Sequence, residues 1–381
     1  MTTIRVQRAA GTVTLIPQDA PTTPPTVLDD TPTLDALVLD VVGGHLSWSL
    51  LAGQSLPAAV LDDPDAAQDW LWAVYGEEAA LTVADGQRRT LTAAPLRPDL
   101  TAALRRLAYA HWATRWWPAS TVDGIPALDP ALLAADVEEL TEACDMALDV
   151  EVPTSLDRLA GFGVSDRTSA ANSVAAEDPS RGGGGPSGSA DSTGQEWPGL
   201  RAEQSDTGPG STRADDYALA AGGAGETGGL VFARGSGECD WRRCPPGLLD
   251  AGGGAVSWQV LRTDGVSTVQ VSVVAAPGCP REVPAHLRPH ARITAGAEVA
   301  EVALRRRGDA WVGAARVGEF LGRELTVDVF VPGVGPAGPQ PDEAPARGLI
   351  RDFARQRLTG SSTGEPLLGA EAVAAADDSD F

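Results

Sequence analysis

The chain has 381 residues, with 29 arginines, no lysine, 52 Asp and Glu, and a formal charge of −23. Without lysine there is no P-loop lysine, kinase lysine or Schiff-base lysine, which excludes ATPase, ordinary kinase and pyridoxal-phosphate chemistry on this chain. The acidic balance argues against nucleic acid and anionic lipid as partners, because phosphate recognition needs a dense basic face.

The length predicts two or three domains, each with its own core. Heavy use of Ala, Gly, Arg and Asp, with a single asparagine at Asn172, points to a GC-rich bacterial genome. Residues 1–20 lack a continuous apolar core of the signal-peptide kind, and the longest apolar stretch is broken by Asp35, Asp40 and His45. The expectation is a cytoplasmic chain with no membrane span.

The first 164 residues read as a helix-rich α+β module. TIRVQRA, TVTLIPQ and LDALVLDVV are extended in pattern. DDPDAAQDWLWAVYG predicts a helix with Asp63 as N-cap and Pro64 at its first position. LTVADGQRRTLTA reads as a hairpin around Asp85-Gly86. DLTAALRRLAYAHWATRWWP repeats Leu100, Leu104, Leu107 and His111 at helical spacing, with Trp112 and Trp116 on an adjacent stripe, and must end by Trp117 because Pro118 follows. LDPALLAADVEELTEACDMAL starts on another Asp-Pro, and TSLDRLAGFG reads as a short helix capped by Thr154.

From Ser165 to Gly228 the apolar periodicity disappears and Gly, Ser, Asp and Pro take over. Such a stretch cannot bury enough area to offset its ordering entropy, so a disordered linker is predicted over 165–228. The charge divides there as well. Residues 1–165 carry 23 acids against nine Arg, and residues 229–381 carry 19 against 16. The pattern predicts two modules on a loose tether.

Beyond it, GLVFAR, AVSWQVLR, TVQVSVVAA, VAEVALRRR, AWVGAARV and LTVDVFVPG are short and β-rich. Asp264-Gly265 and Arg307-Gly308-Asp309 supply hairpin turns. The expectation over 229–335 is an all-β module, a sandwich or open barrel. A helix within 341–360, ARGLIRDFARQRL, and an acidic disordered tail over 361–381 complete the chain.

The candidate sites are sparse. Cys239, Cys244, His286 and His290 have spacings a zinc site permits, and a zinc-stabilised β-module is one reading. Against it, the two pairs are far apart, Pro289 stops a helix from presenting both histidines, and Cys279 is left without a role. Ordinary thiols near strand ends are the plainer reading, and no metal or other cofactor is expected. Arg242 and Arg243 would depress a neighbouring thiol pKa, yet a cysteine nucleophile needs a placed base, so the two arginines are expected on a surface loop. GAGETG at Gly223–Gly228 matches a dinucleotide fingerprint but follows linker sequence and precedes a strand pattern, so it carries no weight.

Two groups suggest partner binding. One is Arg115 with Trp117 on the aromatic helix, where Trp117 is expected to be partly exposed. The other is the Arg305, Arg306, Arg307 run, followed by Arg316 and Arg323, which suits an acidic partner or simply guards a sheet edge. The reading these residues favour is a non-enzymatic, adaptor-like protein that binds a protein partner. The alternative from another class is a hydrolase with dispersed Asp, Glu or His residues.

Overall fold

The structure is a computed structural model that describes residues 2–9, 11–20, 25, 33–148, 230–318, 324–336, 343–360 and 365–377. Among the described residues it is an α+β fold with six helices and several antiparallel sheets. The predicted linker, the expected helix at TSLDRLAGFG and Arg323 fall outside the described residues.

The N-terminal part is built on one antiparallel sheet. Its strands are β1 (Thr3–Ala9), β2 (Thr12–Pro17), β3 (Ala36–Val41), β4 (Gly44–Ser49), β5 (Ala58–Leu61) and β6 (Arg89–Thr92), in the order β3-β4-β5-β2-β1-β6. Alternation along β1 and β2 buries Ile4, Val6, Val13 and Leu15. Against them pack α1 (Gln68–Tyr75), α2 (Glu77–Ala84), α3 (Pro98–Trp116) and α4 (Pro130–Ala143), all within one hydrophobic cluster. Three of the aromatic polar atoms in this core find backbone acceptors, while the buried Trp48 Nε1 has none among the described residues. Trp70 Nε1 donates to Val42 O at 2.8 Å, Tyr75 Oη to Pro57 O at 2.9 Å, and Trp112 Nε1 to Leu34 O at 2.7 Å.

Two local expectations are corrected here. The first helix begins at Gln68, not at Asp63-Pro64. Asp63 instead caps a separate turn, accepting from Ala66 N at 3.1 Å, and that turn seats the buried Ala67 against Gly43. Asp85-Gly86 is not a hairpin. Residues before it are the last turn of α2, Gly86 closes that helix at φ +67°, and the following strand β6 pairs with β1. A glycine in the left-handed region serves a helix end as well as a turn, so the dipeptide alone does not choose between them. The long helix α3 ends as its sequence requires, with Trp117 extended at ψ 122° ahead of Pro118.

The C-terminal part has two antiparallel sheets. The larger runs β12 (Arg305–Arg307), β13 (Ala310–Val317), β9 (Val266–Val274), β8 (Val256–Thr263), β7 (Leu230–Gly237). The smaller runs β11 (Glu298–Ala303), β10 (His290–Ala295), β14 (Leu325–Phe330). Both turns expected from sequence are present: Thr263 pairs with Val266 across Asp264-Gly265, both at positive φ, and Arg307 pairs with Ala310 across Gly308-Asp309. Val269, Val271 and Val273 of the larger sheet share a core with Ala291 and Ile293 of the smaller.

Two helices follow, α5 (Ala344–Leu358) and α6 (Gly369–Asp377). The second corrects the expectation of a disordered tail over 361–381. Leu368, Ala370 and Ala374 are buried, and Asp136 of α4 caps the helix by accepting from Gly369 N at 2.9 Å and Ala370 N at 3.1 Å. The tail's acidity hid a small apolar stripe that folds against α4 and α5, contacts beyond reach of local pattern.

Candidate interaction surface

The residues either side of 149–229 are in contact, and three sets of charged groups are prominent among those contacts. The first centres on Asp250, fully buried. Its Oδ1 accepts from Ser120 Oγ at 2.6 Å and Gly252 N at 2.8 Å, and its Oδ2 from Thr121 N at 2.6 Å. Burial pushes the Asp250 carboxyl up, while the donors pull the other way. The second set uses the stripe Arg347, Arg351, Arg355, whose spacing of four places all three on one face of α5. Arg347 and Arg351 meet Glu238 at 2.7 and 2.9 Å, and Arg351 and Arg355 meet Asp123 at 3.3 and 3.1 Å. The third is Glu371 of α6, also fully buried. It accepts from Tyr109 Oη at 2.6 Å, from Arg357 Nε at 2.8 Å, from Arg357 Nη2, and from Leu368 N at 2.8 Å. Burial first, then the Glu371 charge, hold the Tyr109 hydroxyl well above its usual range. These carboxylates are engaged with arginine, hydroxyl and backbone donors.

The cysteine segment differs from its sequence reading. Arg242 and Arg243 are 5% and 2% exposed, not on a surface loop. Arg242 makes a two-pronged pair with Glu343 at 3.0 and 2.7 Å, and Arg243 pairs with Asp328 at 2.5 Å and lies over the Phe330 ring at 4.6 Å. Cys239 and Cys244 are buried, and the Cys244 thiol is pushed well above its usual pKa by hydrogen bonding with Cys239 and by burial. Both guanidiniums are paired with carboxylates, and the Cys239 hydrogen bond and burial outweigh the lowering that Arg243 still exerts on the Cys244 thiol. His286 is exposed on a short 3-10 turn, and His290 Nδ1 lies 3.1 Å from Glu301 Oε1. Among the described residues, no group of three or more His, Cys, Asp or Glu side chains is arranged to hold a metal ion, so the four zinc candidates are not brought together.

The structure separates the partner-binding candidates. Trp117 is half-buried against the core, and its Nε1 donates to Pro126 O at 2.9 Å. Arg115 is exposed and stacks on Trp116 at 4.7 Å. No hydrogen bond or ion pair among the described residues joins this pair to the Arg305–Arg307 run. That run is itself divided, because successive strand residues face opposite ways. Arg306 turns inward, donates to Gly308 O at 2.6 Å and lies 5.7 Å from the Trp311 ring centroid, which removes it from any patch. Arg305 and Arg307 are exposed on the other face, together with Arg316 of β13 and, across the sheet, Arg234 of β7. Arg234 went unnoticed in sequence, since only pairing register reveals which face it shares.

At the far edge of this sheet, β7 leaves Leu230, Val231 and Phe232 exposed at 68%, 46% and 44%. Comparison of the chain with protein-family models, with curated proteins and with solved structures finds no match.

Proposed function

We propose that the chain is a non-enzymatic, adaptor-like interaction protein of a bacterial cytoplasm that docks a protein partner on its C-terminal β-sheets, read here as a sandwich. The observation that carries this is β7. Among the described residues only β8 pairs with it, so its outer row of backbone groups lies open beside three exposed apolar side chains. Edge strands of this kind are ordinarily blunted by charge, proline or a covering element, because they otherwise recruit another strand. The one charge on β7 is Arg234, and a partner segment added in extended form would gain main-chain hydrogen bonds and cover the apolar residues. No described helix is long and apolar enough to cross a membrane.

The test is co-purification of the tagged full chain from cells that make it, beside a Val231→Asp, Phe232→Asp variant. A stoichiometric protein partner retained by the wild type and lost by the folded variant supports the reading. A partner retained equally by both, or none at all, contradicts it.

A further inference from the structure

The five strands of the larger sheet contain six arginines and no Asp or Glu, in a chain whose formal charge is −23. Pairing register assigns these residues to faces. Val269, Val271 and Val273 of β9 point into the core, and Trp311, Gly313 and Ala315 stand opposite them on β13. The reverse face therefore carries Ser272 and Gln270 of β9, Ser257 and Gln259 of β8, Ser236 and Arg234 of β7, Ala314 and Arg316 of β13, and Arg305 of β12. Arg234, Ser236, Ala314, Arg316 and Arg305 are exposed, and the serines and glutamines between them are half-exposed, as is Val312 between Arg305 and Ser272; Leu261 near one end and Ala310 near the other are the buried members of this face. Among the described residues, Arg234, Arg305 and Arg316 form no ion pair, in contrast to the engaged Arg242, Arg243, Arg347, Arg351 and Arg357.

We infer that this face binds an acidic, extended protein segment, its carboxylates on Arg234, Arg316 and Arg305 and its backbone over the Ser and Gln floor. The inference rests on the interaction reading above and names the chemistry of the partner. Strand geometry supports the match. Arg234 lies in register with Gln259, Gln270 and Ala314, and Arg316 is two residues beyond Ala314. With strands about 4.8 Å apart and about 3.4 Å per residue along each, the Cα atoms of Arg234 and Arg316 are roughly 16 Å apart, and those of Arg316 and Arg305 roughly 14 Å. Carboxylates four residues apart on an extended chain are separated by about 14 Å, within the sweep of an arginine side chain. The floor suits a peptide backbone, since Gln259 Nε2 already donates to Gln270 Oε1 at 2.9 Å and leaves further amide donors and acceptors facing outward. Guanidinium groups recognise carboxylate in two-pronged fashion. Nucleic acid fits less well: a backbone with a charge every few ångströms needs a denser basic track and usually aromatic stacking, and this face has three or four well-spaced arginines and no ring.

The probe is a fluorescein-labelled peptide of alternating Glu and Ser, long enough to cross the five strands, titrated with the full chain by anisotropy. Wild type should bind at low salt and lose affinity as salt shortens the screening length. Each exposed arginine removed should weaken binding roughly two- to fivefold, so Arg234→Gln, Arg316→Gln together should weaken it roughly tenfold. Arg5→Gln, an exposed arginine on the N-terminal sheet, should change nothing, and a Gln/Ser peptide should not bind. Equal loss with Arg5→Gln, or binding of oligothymidylate but not of the Glu peptide, overturns the inference. Absence of Glu-peptide binding while partner co-purification still depends on Val231 and Phe232 overturns this inference alone and leaves the interaction reading standing.

Discussion

Replacing Glu371 with alanine should loosen the whole C-terminal attachment. Glu371 is fully buried and Arg357 is 3% exposed, and the carboxylate accepts from Tyr109, twice from Arg357 and from Leu368 N. Removal leaves a guanidinium in the interior without its counter-charge, at a cost of about 3–5 kcal/mol. That is a large part of the roughly 5–15 kcal/mol by which a domain is stable. Tyr109→Phe removes one donor to the same carboxylate and keeps the ring that Arg357 covers at 4.9 Å, so it should cost at most about 1.5–3 kcal/mol. The double replacement Glu371→Leu, Arg357→Met removes both charges while filling the space, and should recover most of the loss. Urea unfolding followed by tryptophan fluorescence gives all three values. A Glu371→Ala cost below about 1 kcal/mol, or a double variant no better than the single, would refute the reasoning.

Other consequences are as direct. Asp250→Asn is nearly isosteric, but whichever way its amide is turned, the –NH2 meets the Thr121 N–H, or the Gly252 N–H with the Ser120 hydroxyl; thermal unfolding should show a loss approaching that of Asp250→Ala. With a thiol reagent at mild alkaline pH the native chain should expose Cys279 alone, because Cys144, Cys239 and Cys244 are buried and burial pushes the Cys144 thiol up to about 12; all four should react once the chain is unfolded. Burial lowers the His111 pKa from 6.5, so the unfolded chain takes up this proton first as pH falls. Stability should therefore drop through the region just below 6.5, and His111→Gln should flatten that part of the pH–stability curve.

Local chemistry made much of the secondary structure legible. Pro118 ended the aromatic helix, Asp129-Pro130 started the next, and Asp264-Gly265 and Gly308-Asp309 turned their hairpins, because each acts within a few residues. What stayed hidden depends on residues far apart in the chain. HARITA is a central strand, β10, paired on both sides, but its weakly apolar alternation left it out of the predicted strands. Arg242 and Arg243 resembled a surface pair until Glu343 and Asp328 arrived from about a hundred and 85 residues away. For the same reason the Arg305–Arg307 run was only half of a surface. Strand alternation removed Arg306, and register across three other strands added Arg234, which no local pattern links to it.

Hydrogen exchange on the chain alone and in its purified complex addresses the interaction reading most directly. If a partner adds a strand to β7, amides of Leu230–Gly237 that exchange quickly in the free chain should become protected in the complex, while those of the N-terminal strand Thr3–Ala9 stay as they were. Protection confined to the N-terminal sheet or its helices, with β7 unchanged, would contradict the account.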